Sequence, residues 1–371
     1  MPTSLTSSVV ITGIGAVTAL GTTPEELLSA VERGVDAHGL AANELIPADL
    51  AQNGERAKVL RINGPSLLEI GGLKPPFPDR STLLGVAAVD SAVKSSRLPL
   101  DKPGNGGRVG CVGTTSFGPR DTVEKYMKTL LAGGPGNVSP IAFSRTVANA
   151  VLGEICRRHG LFGASTMLVG GSAVEYGFDL LQDRRADAVV CVGVDTLADY
   201  TPWTFSHASL LLNGMVLAEA AAALILEQEE SAIERGAVPL ARILATASCF
   251  SPAATLEITH FDPDSICWSM LRALERARAS ATKVDLIISV DNGDTDLRAT
   301  ELEAIARIFG RSVETLRPKR AFGETFGAAE PLSVAIAALH LAGRGRAGLC
   351  LVISGHLGGA VTVIILECAS A

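Results

Sequence analysis

The side chains most able to do chemistry in this chain, its cysteines and histidines, are scattered rather than grouped. None of the seven cysteines forms a Cys-x-x-Cys pair, and the six histidines have no metal-ligand spacing. Several cysteines, such as Cys191 and Cys350, lie inside apolar runs, which is typical of small buried thiols in a reducing compartment. The sequence therefore predicts neither a metal centre nor a disulfide framework.

The composition indicates a close-packed α/β protein. The chain has 371 residues, of which 47% are apolar and only 4% aromatic, with 38 glycines. A net charge of -7 argues against a general nucleic-acid binder, which needs a basic face. No basic leader is expected, since Met1-Pro2-Thr3-Ser4 runs straight into a strand, and no apolar run approaches the roughly 20 residues of a membrane helix. We expect a cytoplasmic protein without nucleic-acid or membrane partners.

The elements that must position any site alternate between strands and helices. A buried strand begins at Val9, and the helix after it has Thr23 as N-cap, Pro24 at its first position and Glu26 completing a capping box. Apolar β-rich runs predict strands at 108–113, 188–194, 221–226, 285–290, 349–353 and 361–366. Helical patterns lie near 82–95, 121–132, 146–159, 172–183, 266–278, 299–309 and 330–342. This alternation predicts a sheet with both faces covered by helices.

The order of these elements repeats along the chain. In the first half a strand ending in Gly-Thr-Thr-Ser (113–116) is followed by helices and two more strands. In the second half a strand ending in Asp-Asn-Gly-Asp (291–294) is followed by the same series. The pattern predicts two similar halves, 1–235 and 236–371, joined as one compact pseudo-twofold unit.

Six segments, in order along nearly the whole chain, resemble β-ketoacyl synthases. They are VVITGIGAVTALGTTPEELLSAVERG, VSPIAFSRTVANAVLGEICRRHGLFG, GGSAVEYGFDLLQDRRADAVVCVGVD, VLAEAAAALILE, PKRAFGETFGAAEPLSVAIAALHLAG and SGHLGGAVTVIILE. The resemblance implies the thiolase fold, a duplicated five-layered α-β-α-β-α sandwich, and a dimer.

The resemblance also locates the condensing chemistry, which uses a low-pKa cysteine at a helix N-terminus and two histidines. Counting back along the motif puts Met167 at the cysteine position, and a thioether cannot hold an acyl group as a thiolate does. The histidine positions match Asn292, which cannot shuttle a proton at neutral pH, and Glu324, whose charge opposes an enolate oxyanion. The family's lysine is matched by Lys319. No catalytic residue is expected.

The family's C-terminal gating loop corresponds to residues 355–359. Gly355 stands where the resemblance expects the gating aromatic, and His356 is interpreted either as a structural histidine in a turn or as a catalytic one. The candidates for tunnel, gating or interface positions are Phe117, Trp203, Phe205, Gly355, His356 and Leu357. For the aromatic residues, ordinary core packing is the alternative.

A chain that keeps the family's fold but lacks its catalytic residues is interpreted as a non-catalytic subunit whose role depends on the shape of the space that it encloses. The resemblance implies a chain-length factor of a polyketide or aryl-polyene-type system, which pairs with an active ketosynthase and shapes its acyl tunnel. Acyl groups would arrive on the phosphopantetheine of an acyl carrier protein, bound through the partner, so no resident cofactor is expected.

Two alternatives remain open from sequence. One is a thiolase-fold acyltransferase or hydrolase with Ser165, Thr166 or Ser172 as nucleophile, assisted by Glu324, Asn292 or His356. The other is a homodimeric protein that binds an acyl group or an acyl carrier.

Overall fold

Ten of the strands form one continuous mixed sheet in the computed structural model. The structure describes residues 8–45, 56–62, 79–100, 105–207, 214–253, 261–344 and 348–369. The strands are β1 Val9–Thr18, β2 Ala42–Leu45, β3 Arg56–Leu60, β4 Val109–Thr115, β5 Ser165–Val169, β6 Ala188–Asp195, β7 Leu217–Ala218, β8 Ala220–Gln228, β9 Ala241–Phe250, β10 Val284–Ile288, β11 Glu314–Leu316, β12 Leu349–Gly355 and β13 Ala360–Cys368.

The helices alternate with these strands, as the sequence pattern predicts. They are α1 Pro24–Glu32, α2 Ala37–Leu40, α3 Arg80–Ser96, α4 Arg120–Gly133, α5 Pro140–Phe143, α6 Ala150–His159, α7 Ala173–Gln182, α8 Tyr200–His207, α9 Glu229–Glu234, α10 Pro263–Arg276, α11 Thr295–Phe309, α12 Pro318–Phe322 and α13 Ala329–Arg344. The predicted capping box of α1 is present, with Thr23 as N-cap and Glu26 bonded back to it.

The large sheet contains the same strand order twice. Read outward from its centre, the first half runs β1-β8-β6-β4-β5 and the second half runs β9-β13-β12-β10-β11. The two half-sheets join where Val9–Ile11 pairs with Ala241–Ile243. The duplicated thiolase fold predicted from the sequence is confirmed. The proposed boundary at 235 follows α9 directly and stays a prediction as a domain division.

Helices form three further layers around the two half-sheets. Helices α7 and α13 lie between the half-sheets, within one apolar core that takes residues from both halves. Helices α3 and α6 cover the outer face of the first half, and α10 and α11 cover that of the second. The site described below lies where loops from both halves meet around the start of α13.

Segment Phe326–Arg344 is the most apolar long helical segment that the structure describes. Its 19 residues are long and apolar enough to cross a membrane by length and composition, although 83% of its most apolar window is buried inside the protein. The segment contains helix α13, whose apolar character follows from its place between two sheets.

Strand β1 packs on α3 through glycines because the backbones approach too closely for a side chain. A Cβ at Gly15 would collide with the carbonyl oxygen of Ala88 and lie 2.5 Å from the amide nitrogen of Ala92. Both partners are backbone atoms inside a regular helix and cannot move aside cheaply. Gly15 therefore sets the distance between the first half-sheet and its outer helix.

We predict that Gly15→Ala lowers the free energy of unfolding by about 1–3 kcal/mol, because the added methyl group forces the β1–α3 contact apart. The matched control is Gly153→Ala in α6, where a Cβ meets nothing within 4 Å. That change should stabilise the helix by about 0.5–1 kcal/mol. Urea denaturation of both variants measures the difference, and equal stabilities would contradict the packing argument.

Candidate functional site

Seven of the residues singled out in the sequence meet around one small cavity. Its lining combines loops after β10 and β12, helix α12 and the turn that leads into α13. These seven residues are Phe205, Asn292, Lys319, Glu324, Gly355, His356 and Leu357. Met215, Phe261, Val290, Leu297 and Phe326 complete the lining.

Glu324 is the centre of a buried polar network. Its Oε2 accepts hydrogen bonds from Nζ of Lys319 and from Nδ2 of Asn292, each at 2.9 Å. Its Oε1 accepts the backbone N–H of Phe326 at 3.0 Å. Lys319 and Glu324 are both more than nine-tenths buried. The lysine therefore balances the carboxylate charge, and the carboxylate already accepts three hydrogen bonds.

Asn292 is held as firmly as Glu324. Its Nδ2 contacts Glu324 and lies 3.4 Å from the sulfur of Met215, while its Oδ1 accepts the N–H of Asp294 at 3.1 Å. The side chain thus supports the loop after β10 and the carboxylate together. An amide that is engaged at both ends is a structural connector, and it has no proton to exchange at neutral pH.

Aromatic rings fill the space beside this network. The ring centroids of Phe117 and Phe326 are 4.7 Å apart, and those of Phe205 and Phe326 are 5.4 Å apart. Phe326 has a left-handed backbone (φ 52°), which is unusual for a bulky residue and turns its ring into this cluster. The rings belong to one buried apolar group with Met215 and Leu357 packed nearby. We call the Phe117, Phe205 and Phe326 rings the aromatic plug.

The space left by these side chains is very small. The cavity measures about 20 Å³, which is enough for about one water molecule. An acyl thioester needs far more room than that. In this conformation the cavity admits no substrate.

His356 contacts a different carboxylate. Its Nε2 lies 3.1 Å from Oε2 of Glu330, and both side chains are almost wholly buried. The other oxygen of Glu330 accepts the N–H of Val174 in the first turn of α7. His356 therefore connects the loop after β12 with the central helix layer through Glu330, which is the geometry of the structural histidine anticipated as one alternative.

The structure places Met167 in the strand that precedes the turn into α7. Met167 lies inside β5, six residues before α7 begins, rather than at a helix N-terminus. Its sulfur packs on Gly113 within the outer core of the first half, and it does not line the cavity. The strand-to-helix turn is instead Gly170-Gly171-Ser172, with Ser172 as the N-cap of α7. The helix therefore begins at the place that the sequence pattern predicts, and the assignment of Met167 to the family's cysteine position stays a prediction.

The proposed alternative nucleophiles also lie outside the cavity lining. Ser165 and Thr166 are in β5, and Oγ of Ser165 is 3.6 Å from the thiol of Cys156. Oγ of Ser172 accepts the N–H of Glu175 as a helix cap. None of the three lines the cavity formed by Asn292, Glu324 and His356. The geometry does not bring a hydroxyl nucleophile together with its proposed assistants.

Trp203 and Phe117 lie near the cavity without lining it. Trp203 is partly buried in α8, and Phe117 reaches the cavity only through the aromatic plug. Sequence reasoning missed Phe326 and Glu330, although both lie in the same motif as Glu324. The signal for Glu330 was a charged residue at the start of an otherwise apolar helix. Among the described residues, no group of three or more metal-binding side chains is present.

We predict that Lys319→Met lowers the free energy of unfolding by about 3–5 kcal/mol, because it leaves the buried Glu324 carboxylate without its cation. Adding Glu324→Gln should recover part of the loss, since the amide carries no charge and its single oxygen can still accept from either Asn292 or Phe326. Urea denaturation of both single variants and the double variant measures the coupling. Additive losses would show that the pair is not a unit.

Comparison with known proteins agrees with this geometry. The family model described as "Beta-ketoacyl synthase, N-terminal domain" matches residues 6–232. The chain is 29% identical to the "Actinorhodin polyketide putative beta-ketoacyl synthase 2" of Streptomyces coelicolor, over 90% of this chain and 86% of that protein. It is 26% identical to the "Tetracenomycin polyketide synthase ketoacyl synthase beta subunit" of Streptomyces glaucescens, over 91% and 86%.

Solved structures show the same fold. "The ishigamide ketosynthase/chain length factor" matches with a TM-score of 0.84 and 21% identity, over 98% of this chain and 100% of that chain. A "type II PKS acyl-carrier protein in complex with its ketosynthase bound to the hexaketide" matches with a TM-score of 0.76 and 17% identity, over 98% and 100%. Because the family model covers more than half of the sequence, this chain belongs to the β-ketoacyl synthase family.

Proposed function

We propose that this chain is a non-catalytic, chain-length-factor-like subunit that pairs with an active ketosynthase and limits the space for the growing acyl chain. Its relatives include the beta subunit of the tetracenomycin synthase and the ishigamide ketosynthase/chain length factor. The acyl group would arrive on the phosphopantetheine of a carrier protein and be extended on the partner. The observation that carries the proposal is an apolar face built around the last strand of the sheet.

This face, which we call the partner face, consists of α4, α5, the segment 144–149 and β5. Helix α4 has 14 residues and buries none of them. Apolar side chains along the face are unusually exposed: Met127 42%, Leu131 80%, Ile141 70%, Phe143 58%, Val147 45% and Val169 67%. Isolated exposed apolar residues are ordinary, but a contiguous group marks an association site.

Local contacts hold these elements together at the carboxyl ends of β4 and β5. The ring centroids of Tyr126 in α4 and Phe143 in α5 are 5.8 Å apart, with the ring planes tilted at 49° to each other. A Cβ at Gly118 would touch Cα of Ala148 at 3.4 Å, so the segment 144–149 lies directly on the end of β4. Contacts of this kind argue that the partner face is preformed.

Strand β5 ends the ten-strand sheet in the described part of the chain. An edge strand presents a row of backbone N–H and C=O groups that can pair with another strand. Its side chains are exposed or half-buried, whereas those of its neighbour β4 are fully buried. A second thiolase-fold subunit offers a matching edge, which would continue the sheet and cover the apolar residues.

The closed cavity supports a non-catalytic role. A condensing subunit needs an open pocket with a thiolate and proton-transferring groups. Here a neutralised Lys319–Glu324 pair, an amide and the aromatic plug occupy that region, and the remaining space holds about one water molecule. The reacting groups would therefore come from the partner.

A larger open cleft borders the partner face, and its lining mixes apolar side chains with charged ones such as Arg80, Asp121, Glu124 and Asp199. It measures about 1100 Å³ and follows α4, with Tyr126, Ile141 and Ala142 among its lining residues. Lys125, Lys128 and Thr129 also line it and supply hydrogen-bond donors. A chain that carries several carbonyl groups would find both apolar contact and donors there. We assign this cleft as the part of the acyl tunnel that this subunit would contribute.

We predict that co-expression with an active ketosynthase partner yields a one-to-one complex, and that Val169→Lys weakens this complex by on the order of 100-fold because a charge replaces an apolar side chain of the partner face. The control is Val238→Lys at a valine that is 80% exposed outside the partner face. Native mass measurement and titration give the affinities. A homodimer that ignores the ketosynthase would reject the proposal in favour of the acyl-binding homodimer.

We predict that Tyr126→Ala, which enlarges the cleft, lengthens the product of the complex, and that Thr129→Trp, which fills it, shortens the product. Phe162→Ala is the control, because that ring is 81% exposed and does not line the cleft. Chromatography and mass spectrometry of the products measure chain length, and intact mass locates the acyl group on the ketosynthase. An acyl adduct on this chain would contradict the non-catalytic role.

A further inference from the structure

Two thiols and a hydroxyl meet on the first half of the protein, away from the cavity. Cys111 in β4 and Ser165 in β5 are direct partners across the two strands. Cys156 lies above them on α6, with its sulfur 3.6 Å from Oγ of Ser165. Helix α6 packs on β4 at this point, and Cys156 packs against the outer core cluster that contains Cys111. No part of the proposed function uses this cluster.

The two thiols differ in their access to solvent. Cys111 is 1% exposed inside the outer core, whereas Cys156 is only partly buried. A reagent in solution therefore reaches Cys156 first.

The surroundings also change the pKa values of the two thiols in opposite directions. The interaction with Cys111 is the main cause that lowers the pKa of Cys156 to about 6, and smaller effects come from Ser165 and the nearby His159. The same interaction, followed by burial, raises the pKa of Cys111. Cys156 is consequently the thiol that ionises at neutral pH, and the thiolate is the reactive form.

A half-exposed, acidic cysteine beside a second thiol has the features of a redox-sensitive pair. We propose that Cys156 and Cys111 form a reversible disulfide after oxidation of Cys156 by a peroxide. This modification site rests on the geometry of β4, β5 and α6 and is independent of the proposed function.

The chemistry balances with a peroxide as the only oxidant. The Cys156 thiolate attacks one oxygen of hydrogen peroxide, the O–O bond breaks, and the hydroxide that leaves takes a proton to become water. Cys111 then attacks the sulfenic sulfur, the S–S bond forms, and the displaced hydroxide takes the Cys111 proton. The two sulfurs together lose two electrons, and a dithiol reductant reverses the change.

The test treats the reduced full-length chain with hydrogen peroxide, blocks remaining thiols with N-ethylmaleimide, and maps each cysteine by mass spectrometry. Cys249 is the matched control, because its sulfur also contacts a serine hydroxyl, that of Ser269 at 3.2 Å. We expect Cys156 to react on the order of tenfold faster than Cys249. Cys111 and Cys156 should be lost together as one crosslinked peptide, which dithiothreitol releases.

Two variants and one measurement on the unaltered chain test each step of the proposed oxidation. In Cys111→Ala the reaction should stop at a sulfenic acid on Cys156 that dimedone traps, and in Cys156→Ser the Cys111 thiol should stay reduced. On the unaltered chain, the alkylation rate of Cys156 by iodoacetamide should rise with a midpoint near pH 6, where its pKa lies. The proposal is wrong if Cys156 reacts no faster than Cys249, or if Cys111 stays free while Cys156 is oxidised further.

Discussion

The carboxylate of Asp195 joins the three backbone segments on which the centre of the structure depends. It lies at the end of β6 and accepts hydrogen bonds from the Thr115 hydroxyl and from the N–H groups of Ser116, Phe117 and Gly327. Gly327 belongs to the turn that carries Glu324 and leads into α13. One buried group thus fixes the loop after β4 from the first half against the start of the main helix of the second half.

Burial raises the pKa of Asp195 to about 6, although its hydrogen bonds lower it. A pKa raised above that of the unfolded chain means that the folded state holds the proton more tightly. Ionisation of Asp195 therefore reduces stability as the pH rises from about 4 to about 6. At neutral pH the four donors must offset the desolvation of the carboxylate. Loss of any one donor should therefore destabilise the contact between the two halves at Asp195.

Glycines allow the segments held by Asp195 to approach one another closely. A Cβ at Gly327 would lie 2.7 Å from Cα of Thr115, and a Cβ at Gly193 would collide with the backbone of Gly327. Because the segments touch backbone to backbone, little space remains at the junction of the two halves. The Lys319–Glu324 pair and the aromatic plug fill that remainder, which explains how a ketosynthase scaffold can keep its shape while its pocket is closed. The exposed surface at the edge of β5 is the face that the proposed association with a partner would cover.

The sequence by itself determined the architecture. Apolar runs, the capping box at Thr23 and the repeated order of elements predicted the two covered half-sheets, because burial on both faces leaves a local pattern in the chain. Motif spacing also placed Asn292, Lys319, Glu324 and residues 355–357 at one site.

Local pattern could not show that Met167 points into the outer core, since one step along a strand reverses the face to which a side chain points. Nor could it show that Lys319 neutralises Glu324, that Glu330 holds His356, or that Cys111 lies beneath Cys156. These pairs are separated by 5, 26 and 45 positions and are brought together by different elements. Only the packing of those elements decides which side chains touch, and therefore whether a polar group has a partner, a charge is balanced or a pocket is open.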